Sequence, residues 1–252
     1  MMSELVDFAR LSEDVYCKKS KLTEGPWSRF EGTDGKYSDG FYAAIYINRE
    51  TNERVIAYRG TEVTDWGDLV ADVNIVKGSM HKQFNFASDF LSLNQEIDMV
   101  IGHSLGGALA KYIAAKKGLT AYAFNAPGIK GIGGIANAHA NAKIFNINAT
   151  FDPVSKVGDS FGTTEHYHVG SIPLVPDTLE PVVIGAVTVN TGGLAGRLAL
   201  PYYLLGQHSI SNLAERLVEK HGDNGWRYSP PRKTVHIDWD DMDDWGEDGG
   251  YD

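Results

Sequence analysis

Ser104 lies in the pentapeptide Gly102-His103-Ser104-Leu105-Gly106, and the residues on either side decide what its hydroxyl can do. Met99, Val100 and Ile101 are apolar with no turn residue among them, which predicts a strand covered on both faces. After the serine, Leu105, Leu109, Tyr112 and Ile113 recur at helical spacing, and Lys111, Lys116 and Lys117 lie towards the end, where cations suit the helix dipole. A serine caught between such a strand and such a helix sits on a sharp, strained turn that pushes its hydroxyl into open space. The flanking glycines let strand and helix approach closely enough for the turn to form. The chemistry this predicts is nucleophilic attack by Ser104.

A serine hydroxyl is a weak nucleophile until a base takes its proton, and the charge formed on the attacked carbonyl needs backbone donors. An elbow of this type expects its acid and then its histidine later in the chain, with one oxyanion donor earlier. Thr120-Ala-Tyr-Ala-Phe-Asn125 and Lys143-Ile-Phe-Asn-Ile-Asn148 read as the next two strands, and the second runs into Phe151-Asp152-Pro153-Val154. An acid just past a strand's C-terminal end lies on the side where open α/β sheets assemble their sites. Asp152 is therefore the candidate acid, with Asp159 and Asp177 behind it.

Position separates the eight histidines. His81 and His103 precede the nucleophile. His103 should also point away from the site, because adjacent residues diverge at a tight turn. His139 precedes the acid in an Ala- and Asn-rich stretch, Gly131 to Ala142, expected to be helical in its second half. His166 and His168 share a strand face by period two. His221 follows the last amphipathic helix and reads as a solvated end residue. His208 opens that helix, in the loop before Ser209-Ile-Ser-Asn-Leu-Ala-Glu-Arg-Leu217, where it can face Ser104. It is the candidate base, with His236 as the alternative. For the oxyanion, the N–H of Leu105 pairs with that of Thr61, which follows the strand Glu53 to Arg59 at Gly60.

The elements that must position these groups read as one catalytic domain over residues 1–228 and an acidic tail over residues 229–252. Leu5, Phe8, Ala9, Leu11 and Val15 mark a packed N-terminal helix within residues 3 to 18, and a polar stretch follows to Gly40. Phe41 to Asn48 and Glu53 to Arg59 form a predicted hairpin. Residues 82 to 93 read as a helix feeding the nucleophile strand. With 42% apolar residues in 252, the chain can bury one sizeable core. Cys17 is the single cysteine, so no intrachain disulfide forms.

Charge and composition narrow the partners. Eight of the ten excess negative charges fall between Asp238 and Asp252, a low-complexity segment expected to be disordered and a candidate dock for a protein partner through Trp239, Met242, Trp245 and Tyr251. Neither the nearly neutral body nor this tail offers the basic surface that nucleic acid favours. Pro181 to Gly196 carries no charge but is too interrupted by Gly and Asn for a spanning helix. It is a candidate lining for an acyl-chain groove or for transient contact with a membrane or lipid-droplet surface. The start, Met-Met-Ser-Glu-Leu-Val-Asp-Phe, lacks the basic residues and apolar run of a secretory signal, so the expected location is cytoplasmic, with leaderless release open.

Ala57-Tyr-Arg-Gly-Thr61, Asp65-Trp66 with Asp68 and Asp72, His81, and Gly102-His-Ser-Leu-Gly-Gly-Ala-Leu-Ala110 together resemble the class 3 (fungal-type) lipase family of the α/β-hydrolase superfamily, from about Tyr42 to His208. The resemblance implies a central, mostly parallel sheet flanked by helices. It implies an acid in an Asp-Pro-Val setting, here Asp152, and a lid near residues 64–77. The interval between the oxyanion turn and the elbow is shorter than is common in the family. By resemblance the substrate is a lipid ester, acylglycerol or phospholipid, cut by Ser104, Asp152 and His208 with no metal and no organic cofactor. An acyltransferase using the same triad, or a non-catalytic lipid- or protein-binding member of the fold, are the alternatives.

Overall fold

The structure is a computed structural model, and residues 2–30, 35–37, 40–60, 82–94, 96–131, 135–169 and 206–222 are described. Thr61, the segment 64–77, His81, Asp177, Pro181 to Gly196, His236 and the acidic tail lie outside them.

The predicted hairpin forms: β3 (Tyr42–Asn48) pairs antiparallel with β4 (Arg54–Tyr58), with Ile45 opposite Ile56. The short strands β1 (Trp27–Arg29) and β2 (Gly35–Lys36) both pair antiparallel with β3. From β4 onward each strand is parallel to the last: β5 (Met99–His103), β6 (Thr120–Phe124), β7 (Lys143–Ala149) and β8 (Thr163–Tyr167). The order β1-β3-β4-β5-β6-β7-β8, with β2 beside β3, follows the chain. All the parallel strands therefore end on one edge, which is where the residues after them can meet.

Helices cover both faces, and the strand alternation follows. Helix α1 (Met2–Asp14) and helix α4 (Ile210–His221) lie on the face that receives Val55, Ala57, Ile101, Phe124 and Ile147. Helix α2 (82–93) and helix α3 (Leu105–Lys117) lie on the face that receives Ile56, Tyr58, Val100 and Ala121. Each fully buried Val, Ile or Phe side chain among them contributes about 1.5–3 kcal/mol, and each alanine less. Phe84 of α2 stacks on Tyr112 of α3 with ring centroids 4.1 Å apart, and Phe8 of α1 packs on Tyr122 of β6 at 4.8 Å.

Helix α1 is more deeply buried than an amphipathic stripe requires. It is held between the sheet and α4, so Asp7, Ser12, Glu13 and Asp14 are buried along with its apolar residues. Buried charge needs partners. Asp7 accepts from Trp27 Nε1 at 3.1 Å, Asp14 accepts from Tyr46 Oη at 2.8 Å and from the Lys21 amide, and Ser211 of α4 donates to Glu13.

One expected element does not form. Residues 135–142 are irregular rather than helical, and the His139 amide donates instead to the Ala115 carbonyl at the end of α3. Asn137 and Asn141 weaken helix formation there, and that bond ties the segment across the end of α3.

Candidate functional site

Ser104 caps α3 with φ 57° and ψ −127°, a conformation that L side chains rarely adopt. The surrounding glycines allow it. A Cβ on Gly106 would come within 2.0 Å of the Tyr58 carbonyl oxygen, and one on Gly102 within 2.4 Å of the Gly106 carbonyl carbon. Only hydrogen at these positions lets helix, elbow and β4 close on one another. The Ser104 amide donates to the Phe124 carbonyl at 2.9 Å, and its own carbonyl accepts the first helical bond from Ala108. These bonds hold the strained residue in place.

The structure brings Ser104, His208 and Asp152 together. The helical turn 206–208 ahead of the Ser209 cap carries His208, whose Nε2 lies 2.9 Å from Ser104 Oγ and whose Nδ1 lies 2.7 Å from Asp152 Oδ1. A carboxylate only accepts, so Nδ1 carries the proton and Nε2 presents its lone pair to the serine hydroxyl. Asp152 is completely buried, three residues beyond β7. Its carboxylate also accepts from the Ser155 amide at 2.8 Å and the Val154 amide at 3.3 Å, at the start of a short 3-10 turn (Val154–Lys156). Asp159 is not at the histidine; its backbone packs against Gly128 and accepts from the Lys130 amide.

Leu105 is the first residue of α3, so its N–H belongs to the turn whose amides lack partners inside the helix. That end is also the positive end of the helix dipole, where developing negative charge is stabilised. Gly60, the residue before Thr61, is described. A Cβ there would lie 2.6 Å from His103 O, 2.6 Å from Tyr16 Oη and 3.2 Å from Ser104 Cβ. Gly60 thus lies directly against Ser104.

Several residues that build the site carried no sequence signal. Asn125, completely buried with φ 46°, follows β6 and donates from Nδ2 to the carbonyls of Gln207 and His208, each at 3.1 Å. Its Oδ1 accepts the Ala149 amide at 2.7 Å. It therefore links the end of β7 to the turn that carries His208. Gln207 donates from Nε2 to the Val169 carbonyl at 2.7 Å, securing the same turn from β8's side. His103, expected to point away from the site, instead packs its ring against His208, because the turn that exposes Ser104 leaves its neighbour facing the buried side of the 206–208 turn. Its Nε2 lies 2.7 Å from the His208 carbonyl, and burial together with the neighbouring His208 holds its pKa well below the ordinary value. Lys111, on α3, has no exposed surface and donates to Ala126 O and Ser160 Oγ, each at 3.1 Å. Burial pushes its pKa down to about 7.

His221 is not simply solvated: its Nε2 lies 3.2 Å from Tyr167 Oη, and the Tyr167 hydroxyl proton goes to Glu165. This ties the end of α4 to β8.

A sheet parallel from β4 to β8, with Ser104 at the elbow after β5, Asp152 after β7 and His208 ahead of α4, defines the α/β-hydrolase fold. The chain belongs to the phospholipase-like family of Tle-like phospholipase domains, whose model matches residues 7–149. It is 35% identical over 94 residues to the extracellular phospholipase A1 of Serratia liquefaciens, covering 36% of this chain and 28% of that protein's length. Among solved structures, Lip2 lipase of Yarrowia lipolytica matches with a TM-score of 0.45 and 15% identity, over 68% of this chain and 80% of that one. A triacylglycerol lipase of Penicillium expansum matches with a TM-score of 0.45 and 17% identity, over 66% and 79%.

Proposed function

We propose that the chain hydrolyses carboxylic esters of lipids through an acyl-enzyme on Ser104. The observation that carries this reading is the run of two hydrogen bonds from Ser104 Oγ through His208 to a fully buried Asp152. His208 Nε2 takes the hydroxyl proton as Ser104 Oγ bonds to the ester carbonyl carbon, and Asp152 steadies the imidazolium that results. The carbonyl oxygen, now negative, is bound by the N–H groups of Leu105 and Thr61. Each such donor is typically worth about 3 kcal/mol of barrier. Collapse expels the alcohol, which takes its proton from His208 and leaves the acyl group on Ser104. A water molecule then gives a proton to His208 and its oxygen to the acyl carbon, releasing the carboxylic acid and restoring the serine.

Membership in a phospholipase family and the Serratia liquefaciens relative favour a phospholipid as the ester, with triacylglycerol as the competing substrate. The deciding experiment compares fatty-acid release from phosphatidylcholine vesicles, triolein emulsion and p-nitrophenyl esters by wild type and Ser104→Ala. Release from vesicles that vanishes in the mutant supports the reading. A folded wild type that cleaves none of them and is not labelled by a fluorophosphonate probe overturns it.

A further inference from the structure

We propose that His103 and Tyr16 are positioning residues that hold the base in register with the Gly60 turn, through a directed chain of hydrogen bonds behind the catalytic triad. The inference rests on the serine-hydrolase reading above and adds to it two residues that do not touch substrate.

The direction of the chain follows from what each atom can do. The His208 carbonyl can only accept, so the 2.7 Å contact from His103 Nε2 places the His103 proton on that nitrogen. A neutral imidazole with Nε2–H has its lone pair on Nδ1, which lies 3.1 Å from Tyr16 Oη, so the phenol donates to it. The phenol oxygen is then left to accept, and the Gly60 amide lies 3.1 Å away, donating to it. One run of donors thus passes from the Gly60 N–H through Tyr16 and His103 to the His208 carbonyl. It joins the end of β4, the segment after α1, the end of β5 and the turn that carries the base.

The placement gives this chain a task. His208 sits on a turn outside the sheet, so no ladder bonds fix its backbone, and the 2.9 Å contact to Ser104 depends on where that backbone lies. Its carbonyl is held from two sides, by His103 and by Asn125. The imidazole rings of His103 and His208 pack with centroids 4.7 Å apart. The Tyr16 phenol meanwhile lies against Gly60, which packs on Ser104 itself. Displacing the base or the oxyanion turn by about 1 Å is enough to cost about 100-fold in rate.

The test uses the full chain with a soluble p-nitrophenyl ester and a fluorophosphonate probe, comparing wild type with Tyr16→Phe, His103→Gln and His103→Asn. A glutamine amide reproduces the donor at Nε2 and so keeps the bond to His208, whereas asparagine reproduces only the acceptor at the Nδ1 position. The expected result is that Tyr16→Phe and His103→Asn each lower kcat by about tenfold with KM little changed, that His103→Gln retains more kcat than His103→Asn, and that Tyr16→Phe adds little once His103 is replaced. Equal kcat in the two His103 variants, or losses confined to Tm with kcat and labelling rate at the wild-type level, would overturn the inference. A wild type that the probe does not label overturns the hydrolase reading and this one with it; a labelled wild type with equally labelled variants overturns this one alone. Nitrogen NMR of the wild-type imidazoles checks the chain without any variant. His103 is expected as the neutral Nε2–H tautomer even below the ordinary value of 6.5, and an Nδ1–H tautomer contradicts the proposed direction.

Discussion

Asp152 and His208 are 56 positions apart in the chain, yet the carboxylate and Nδ1 meet at 2.7 Å with the aspartate wholly removed from solvent. Burial gives the pair its directional force, since no water competes for Nδ1 or lowers the field at the imidazole. Asp152→Asn keeps the shape but offers an amide that can donate to Nδ1, which moves the ring proton to Nε2 and blocks proton transfer from Ser104. The expected result is a fall in kcat on the order of 10⁴-fold with native circular dichroism. A fall of less than about tenfold in ester turnover shows that the acid is elsewhere.

Ser104 is expected to cost stability for its place at the elbow. Its φ of 57° and ψ of −127° are strained for any L residue and relaxed for glycine. Ser104→Ala and Ser104→Gly should both abolish turnover, but the glycine variant should be the more stable by about 1 kcal/mol or more, because the serine and alanine share the backbone strain. Urea midpoints of the two variants give the comparison directly. Equal midpoints, or a more stable alanine variant, refute stored strain at this residue.

The parts of the site legible in the sequence are those with a local cause. Gly102 and Gly106 announce the elbow because the turn itself requires them, and Asp152 is found because acids beyond parallel strand ends share one edge of the sheet. His208 follows from chain order and from its place ahead of a capped helix. Tyr16 and Asn125 have no local signature. Tyr16 meets Gly60 from 44 positions away, and Asn125 meets His208 from 83, so only the packed sheet brings them together. The same holds for residues 135–142, whose alanines suggest helix while a bond from His139 to Ala115 holds another conformation. It holds for α1 too, whose polar residues become buried only once α4 closes over them.

Lys111 makes stability depend on pH in a window set by its burial. Its pKa falls from 10.5 to about 7 in the folded chain, so between these values the unfolded chain binds one proton more. Stability therefore rises with pH across that window: the contribution is complete above 10.5 and is lost as pH falls to about 7. Lys111→Met has similar bulk and no titrating group. The stability of wild type relative to the variant should rise by up to about 1.4 kcal/mol per pH unit above pH 7 and be flat below it. Chemical denaturation of both proteins from pH 6 to pH 9 measures this. A difference that does not change with pH means that the amine keeps its ordinary pKa.

Asn125 is the residue on which acid strand and base turn both depend, and two replacements separate its roles. In Asn125→Ala the carbonyl of Gln207 and the amide of Ala149 lose the partner that this side chain provides, while the His208 carbonyl keeps His103. A loss of about 2–4 kcal/mol is expected, together with reduced kcat. Asn125→Asp keeps an acceptor for Ala149 but turns a carboxylate oxygen towards two carbonyls in a site with no exposure. The charged form is disfavoured there, so the new carboxyl has a folded pKa above its unfolded value of about 3.9. The folded chain then binds more protons than the unfolded one between the two values, and stability falls as pH rises through that range. Asn125→Asp should therefore match or exceed Asn125→Ala in stability at pH 4 and fall well below it at pH 8, whereas a packing role alone gives both variants the same pH dependence.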